Sequence, residues 1–250
     1  MQVPYPRIAL ITGGGAGIGL AAAKAFAATG TRAIITGRNE TRLAAVARQT
    51  PGIDYIVADA ADEQDAERTI ATTIARWGRL DVLVNNAGAG AILPLAQAAA
   101  EQIKAIFATN VLGPSLLTRA ALPHLKAAGG AIVNVSSTFG HKAAAGLSHY
   151  AASKAALEHM TRCWALEFAA DGIRVNAVAA GPTETRFLEE RMKLTPDQIE
   201  TVKADERARI PLGRRGEPED VAPWILSLAT PGAAWVTGQV LCVDGGLDIT

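Results

Sequence analysis

The stretch Arg7-Ile8-Ala9-Leu10-Ile11-Thr12-Gly13-Gly14-Gly15-Ala16-Gly17-Ile18-Gly19 decides the fold of this chain. Its first half is a short run of apolar residues, which reads as a buried strand over residues 7–12. Its second half turns on glycines directly into residues 17–29, whose apolar positions follow a helical period. A strand that turns this way brings the amides of a helix N-terminus to the sheet edge with no side chains in front of them. Gly13 can make the turn. Gly17 and Gly19 permit close approach of a pyrophosphate and of helix to strand, with Gly15 and Ile18 completing the cradle. A tight turn without a ligand is the alternative reading.

Outward from this loop, apolar runs alternate with helical segments. Strands are expected at 31–36, 53–58, 80–84, 131–135, 173–179 and 239–243. Helices are expected at 40–49, 62–76 with Asp62 as N-cap, 97–127 with a bend near Gly113-Pro114, 149–170 and 217–230. Continuous apolar strands separated by helices imply a parallel sheet covered on both faces. Right-handed crossovers make it an α/β, doubly wound, Rossmann-type sheet of about seven strands. No linker or low-complexity stretch interrupts residues 1–250, so a single domain is expected. Residues 183–211 break the rhythm with a polar, helical insertion, which is read as a substrate lid.

Composition narrows the partners. Of the 250 residues 49% are apolar, enough for a large core, and the formal net charge is zero. Nothing electrostatic favours a nucleic acid or an anionic membrane. Cys163 and Cys242 make neither a disulfide framework nor a zinc pattern. His124, His141, His149 and His159 show no ligand spacing, so no metal is expected. The first seven residues lack a secretory pattern, and no apolar run is read as long enough to span a bilayer. A soluble, cytoplasmic protein is expected.

The second strand ends in Ile35-Thr36-Gly37-Arg38. A site selective for NAD usually places a carboxylate here for the ribose hydroxyls. Gly37 stands there instead, and the Arg38 guanidinium suits a 2′-phosphate. NADP(H) is therefore favoured over NAD(H), a solvated surface charge being the alternative for Arg38.

Tyr150 and Lys154 lie four apart in a helical segment and share one face. A tyrosine is a poor base near neutrality, and a nearby ammonium stabilises its phenolate. Tyr150 then has the means to donate a proton to a carbonyl or to take one from an alcohol. Lys154 is also suited to bind the nicotinamide ribose. Alone, the spacing is common. Its company is Ser136-Ser137 at the end of the fifth strand, thirteen residues before Tyr150, at the sheet edge where ligands bind. Strand alternation sends the two serines to opposite faces and does not choose between them.

Thr12-Gly13-x-x-x-Gly17-x-Gly19, Asn85-Asn86-Ala87-Gly88, Asn110, Ser137 and Tyr150-x-x-x-Lys154 together resemble the short-chain dehydrogenase/reductase family. The resemblance extends to the C-terminal segments Gly213 to Asp220 and Thr237 to Gly246, so it covers essentially the whole chain. It selects Ser137 over Ser136 as the residue that holds the substrate oxygen. It implies that Asp59, followed by Ala60, contacts the adenine, with a plain N-cap as the alternative. It implies that Asn86, Ala87 and Gly88 border the cofactor, and that Asn110 holds a helix kink and a water relay to Lys154. Gly181, Pro182, Thr183 and Thr185 would meet the nicotinamide carboxamide. Ala180 replaces the family's usual proline, which implies a less rigid loop. A homotetramer is implied by the resemblance alone.

The leading functional expectation is an oxidoreductase that moves a hydride between NADP(H) and a small carbonyl or secondary alcohol. A nucleotide sensor without catalysis, a 3-oxoacyl thioester reductase, and a sugar epimerase or dehydratase are the alternatives. About 65 residues follow Pro182, too few for the larger substrate domain that such epimerases usually carry. Asp171, and Ala127-Ala128-Gly129, stand where a carrier-protein partner would want bases. The lid and residues 138–149 are expected to form the substrate pocket, with Phe139, Leu147 and Phe187 among its apolar contacts.

Overall fold

The computed structural model describes residues 7–250. Among the described residues there are seven strands: β1 (Ile8–Thr12), β2 (Arg32–Gly37), β3 (Ile53–Val57), β4 (Val82–Asn85), β5 (Ala131–Ser137), β6 (Arg174–Ala180) and β7 (Val240–Val243). They form one parallel sheet in the order β3-β2-β1-β4-β5-β6-β7. The winding reverses between β1 and β4, which opens a crevice at their carboxyl ends.

Period-two alternation divides the core into two halves. Ala9, Ile11, Ala33, Ile35, Val82 and Val84 face one side. That side is covered by α1 (Gly17–Ala28), α2 (Glu40–Gln49) and α9 (Pro218–Ala229), through Phe26, Leu43 and Ile225. Ile8, Leu10, Ile34, Leu83 and Ile132 face the other. There they meet α3 (Glu63–Trp77), α5 (Gly113–Ala128) and α6 (Ser148–Phe168), through Ile70, Leu117, Leu125 and Phe168. Because both faces are covered, the central strands are mostly apolar on both sides, with buried polar residues such as Asn85, Asn134 and Asn176 among them. The expected N-cap at Asp62 is present, its carboxylate accepting from Asp65 N–H at 2.8 Å.

The helix expected over 97–127 is built differently. A 3₁₀ turn at Leu95–Gln97 precedes α4 (Ala100–Phe107), and a π-turn at Ala108–Leu112 joins α4 to α5. Pro114 has no N–H to give the Asn110 carbonyl four residues earlier, so the regular ladder cannot run through this point. The bend therefore centres on Asn110, just ahead of Gly113-Pro114. The 29-residue run Ala100–Ala128 is also long and apolar enough to cross a membrane by length and composition, which corrects the reading that no segment reaches that length. Its apolarity has a core role: Leu117, Ala121 and Leu125 are buried against the sheet.

Buried polar residues tie the layers together. Asn85 Nδ2 donates to Asn134 Oδ1 at 2.9 Å, and Asn134 Nδ2 donates to Thr161 Oγ1 at 2.8 Å, linking β4, β5 and α6. At the opposite end of the sheet Asp81 Oδ2 accepts from Ile8 N–H at 2.8 Å and Arg79 Nε at 2.9 Å. The insertion at 183–211 holds a short helix, α7 (Phe187–Glu190), and a longer one, α8 (Pro196–Arg209).

Candidate active site

The glycine loop sits at the crevice. Thr12 Oγ1 accepts the N–H groups of Asn86 and Ala87, both at 2.9 Å, and Asn86 Nδ2 donates to Thr12 O at 2.8 Å. The ends of β1 and β4 are thereby stitched together. Gly13 takes φ +66°, and a Cβ on Gly19 would stand 2.6 Å from Gly13 O, so the loop closes this tightly only with glycine at both positions. Ala16 at the N-cap has no side-chain acceptor, and the first turn of α1 has no acid. Its free N–H groups are left to meet an anion. That donor set fits a dinucleotide pyrophosphate.

A cleft of about 840 Å³ runs from this loop to Tyr150 and along residues of the 183–211 insertion. It is lined by Gly13, Gly15, Gly17, Ile18, Arg38, Asn86, Ala87 and Gly88 on one side. Ser137, Tyr150, Lys154, Gly181, Pro182, Thr183 and Thr185 complete it. Gly19, Asp59, Ala60 and Asn110 are not among its lining residues. Gly19 underpins the loop. Asp59 Oδ1 accepts from Ala61 N–H at 3.0 Å, and its Oδ2 lies 3.6 Å from Arg38 Nη1. Asp59 thus serves its own turn and faces Arg38.

Three guanidinium groups gather at the end of the cleft beside Gly37. Arg38 is largely exposed. Arg42, on α2, binds Glu190 of α7 through two bonds of 2.8 and 3.1 Å. Arg191 follows Glu190; burial pushes its guanidinium pKa down, with Arg38 and Arg42 adding to the effect while Glu190 and Asp59 oppose it. The 183–211 insertion is therefore pinned to the corner at the end of β2, and among the described residues Arg38 has only the Asp59 carboxylate at 3.6 Å as partner.

At the other end, α6 carries Tyr150 and Lys154 to the tip of β5. Both are buried. Burial pushes the Tyr150 phenol above its ordinary pKa, and hydrogen bonding with the Ser137 hydroxyl pulls it back. The protein without cofactor therefore holds the phenol protonated, and Lys154 is not among the groups that move it. Burial also lowers the Lys154 ammonium to about 8, with the Glu158 carboxylate opposing. Lys154 Nζ donates to Val135 O at 2.8 Å. The Phe187 ring, from the 183–211 insertion, stands 6.0 Å from the Tyr150 ring at 51°.

The two serines are separated as alternation requires. Ser136 Oγ donates to Glu158 Oε1 at 2.7 Å, which leaves Ser137 facing the phenol. Asn110 is fully buried, and its amide is consumed: Oδ1 accepts from Ala89 N–H at 2.8 Å, while Nδ2 donates to Ala89 O and Ser153 Oγ at 2.8 and 2.9 Å. Its side chain positions the Ala89 strand-exit segment and α6. Its backbone carbonyl is offered no N–H by Pro114 four residues on.

The loop after β6 is tied to its neighbours by several contacts. Thr183 Oγ1 donates to Gly181 O at 2.9 Å, and a parallel bridge joins Thr183 to Gly216. Arg215 is buried and pairs with Glu184 at 2.9 Å and with Glu206 of α8, and it donates to Thr183 O at 2.7 Å. Lys203 closes the network on Glu184 at 2.6 Å. The sequence reading missed Arg215, Glu206 and Glu158. The available signal was the pair of charges Arg214-Arg215 before an acidic helix start, but their partners lie in other segments.

Comparison with known proteins agrees with this architecture. A family model described as enoyl-(acyl carrier protein) reductase matches residues 13–248. The chain is 40% identical to a 3-oxoacyl-[acyl-carrier-protein] reductase of Thermotoga maritima, over 97% of this chain and 98% of the relative. It is 36% identical to an L-fucose dehydrogenase of Bos taurus, over 97% of this chain and 90% of the relative. A Caenorhabditis elegans short-chain dehydrogenase/reductase, solved with cofactor, superposes with a TM-score of 0.90 at 32% identity, covering 98% of this chain and 96% of that one. A 3-ketoacyl-(acyl-carrier-protein) reductase of Brucella melitensis, complexed with NADH, gives the same TM-score and identity, covering 98% and 100%. With its parallel sheet, glycine cradle and full-length similarity, the chain belongs to the short-chain dehydrogenase/reductase family of oxidoreductases, acting on alcohol and carbonyl groups.

Proposed function

We propose that this protein is an NADP(H)-dependent carbonyl reductase or alcohol dehydrogenase in which Tyr150 is the general acid/base. The observation that carries the reading is the meeting of Ser137, Tyr150 and Lys154 in the same cleft as the glycine cradle. A bound nicotinamide supplies the hydride. The chain supplies position and protons. Ser137 holds the substrate oxygen beside the phenol. Tyr150, kept protonated by burial, gives its proton to that oxygen as the carbonyl is reduced and takes one back in the reverse direction. Lys154 binds the nicotinamide ribose hydroxyls. The Asn110 carbonyl, to which Pro114 offers no N–H, accepts from the water that returns a proton through Lys154. Phe187 and the lid over residues 183–211 exclude bulk water from the phenol.

Gly13, Gly15, Gly17, Ile18 and Gly19 hold the pyrophosphate. Asn86, Ala87, Gly88 and the segment from Gly181 to Thr185 border the nicotinamide half. Arg38, with Arg42 and Arg191 beside it, favours a 2′-phosphate and hence NADP(H). Asp59 and Ala60 flank the adenine from behind Arg38. Two free thiols suit a reducing cytoplasm. Leu166 on α6 is exposed and gives the proposed homotetramer an apolar contact. A 3-oxoacyl thioester is the second substrate class, on the 40% identity to the Thermotoga maritima reductase. Turnover of small ketones, 3-oxoacyl thioesters, sugars and steroids, with both cofactors, tests the assignment. Preference for NAD(H) would defeat the Arg38 argument, and turnover surviving Tyr150→Phe would defeat the acid/base argument.

A further inference from the structure

Outside the cleft, His141, Cys242 and Asp248 bring three metal-binding atoms together from three separate segments. His141 follows the turn after β5, Cys242 lies in β7, and Asp248 stands in the C-terminal 3₁₀ turn Leu247–Ile249. His141 Nε2 is 3.0 Å from Cys242 Sγ and 3.3 Å from Asp248 Oδ1, and Cys242 Sγ is 3.8 Å from Asp248 Oδ2. Zinc bonds of about 2.3 Å to sulfur and about 2.0–2.2 Å to nitrogen and oxygen give tetrahedral edges of about 3.3–3.6 Å. The three ligand atoms all lie within 4.8 Å of one another, close enough for side-chain rotation to bring them to those edges around one ion.

The surroundings are those of a built site. Glu158, itself buried, lies 3.0 Å from His141 Nδ1 through Oε2, and its Oε1 is held by Ser136 Oγ at 2.7 Å. A carboxylate on Nδ1–H fixes the tautomer that turns the Nε2 lone pair toward the ion. Asp248 is placed by its own N–H, which donates to Asp244 Oδ2 at 2.8 Å; that oxygen also accepts from Thr138 Oγ1 at 2.9 Å. One thiolate and one carboxylate neutralise a divalent cation, and about 30% exposure of His141 and Asp248 leaves a fourth position open to water. The chain spacing hides the set, since His141 and Cys242 are 101 residues apart.

We propose that His141, Cys242 and Asp248 form a zinc-type site that ties the C-terminal turn and β7 to the segment entering the substrate loop. On binding, the S–H proton leaves to solvent as the sulfur–metal bond forms. The inference does not depend on which substrate or cofactor the cleft takes. Metal-free protein titrated with Co²⁺ tests it directly. One equivalent should bring up a thiolate-to-cobalt charge-transfer band and the visible bands of a four-coordinate ion, and Zn²⁺ should abolish both. Zn²⁺ should also raise the melting temperature of the wild type but not of Cys242→Ser. Glu158→Gln should weaken binding about 10- to 100-fold, as loss of an outer carboxylate does. The band should persist in Cys163→Ser, which removes the other thiol. A wild type without the band, or a band kept by Cys242→Ser, would overturn the proposal.

Discussion

Lys154→Met should stabilise the cofactor-free protein at neutral pH while removing turnover. Lys154 is 4% exposed, and burial takes its ammonium from the ordinary 10.5 to about 8. Between those values the unfolded chain binds more protons than the folded one, so stability rises with pH across the window. Below pH 8 the native state carries the whole penalty, about 3 kcal/mol. Methionine fills a similar volume without a charge. It loses the bond from Nζ to the Val135 carbonyl, about 1 kcal/mol. The variant should thus gain about 2 kcal/mol at pH 7 and hold no advantage by about pH 10. Urea unfolding of both proteins from pH 7 to 10 measures the gap. A variant less stable at pH 7, or a gap independent of pH, would show that the ammonium is not desolvated in the fold. Loss of turnover with that gain in stability would mark Lys154 as a residue kept for chemistry at the expense of the fold.

Other outcomes follow from the same geometry. Tyr150→Phe should keep the wild-type affinity for cofactor, measured by fluorescence titration, and lose turnover. Carbonyl reduction should fall as pH rises toward the phenol's elevated pKa, because the proton donor is lost there; a rate that climbs with pH would contradict this. Arg38→Ala should weaken NADP(H) about tenfold or more, from a charge-assisted bond of about 1.5 kcal/mol, and leave NAD(H) nearly unchanged. Asp81→Ala should cost about 2 kcal/mol in chemical unfolding, since it strips the acceptor from the Ile8 N–H and Arg79 at the buried end of β1.

The glycine cradle and the Tyr150–Lys154 pair were legible because each is a local demand. A turn that only glycine permits and two side chains four apart on a helix are set by the backbone next to them. The doubly wound sheet was legible for a related reason: strands covered on both faces are largely apolar at consecutive positions, and those of the sheet centre are. Local patterning also announced a bend near Gly113-Pro114, where Pro114 withholds an N–H from the helix. It could not say that the Asn110 amide would be spent on Ala89 and Ser153, since those partners arrive from two other segments.

Strand order and long-range packing decided the remainder. Putting β5 beside β6 and β6 beside β7 sets Ser136 and His141 against Glu158, and Cys242 against His141, pairs separated by 17 to 101 residues. The same crossovers bury Arg215 among Glu184 and Glu206 and fold Phe187 over the phenol. Even the ionisation of Tyr150 changed hands. The spacing on the helix placed an ammonium near it, yet burial, which exists only in the packed molecule, outweighs every other influence on the phenol. Chain-local chemistry names the reactive residues; desolvation and distant neighbours determine which protons they hold.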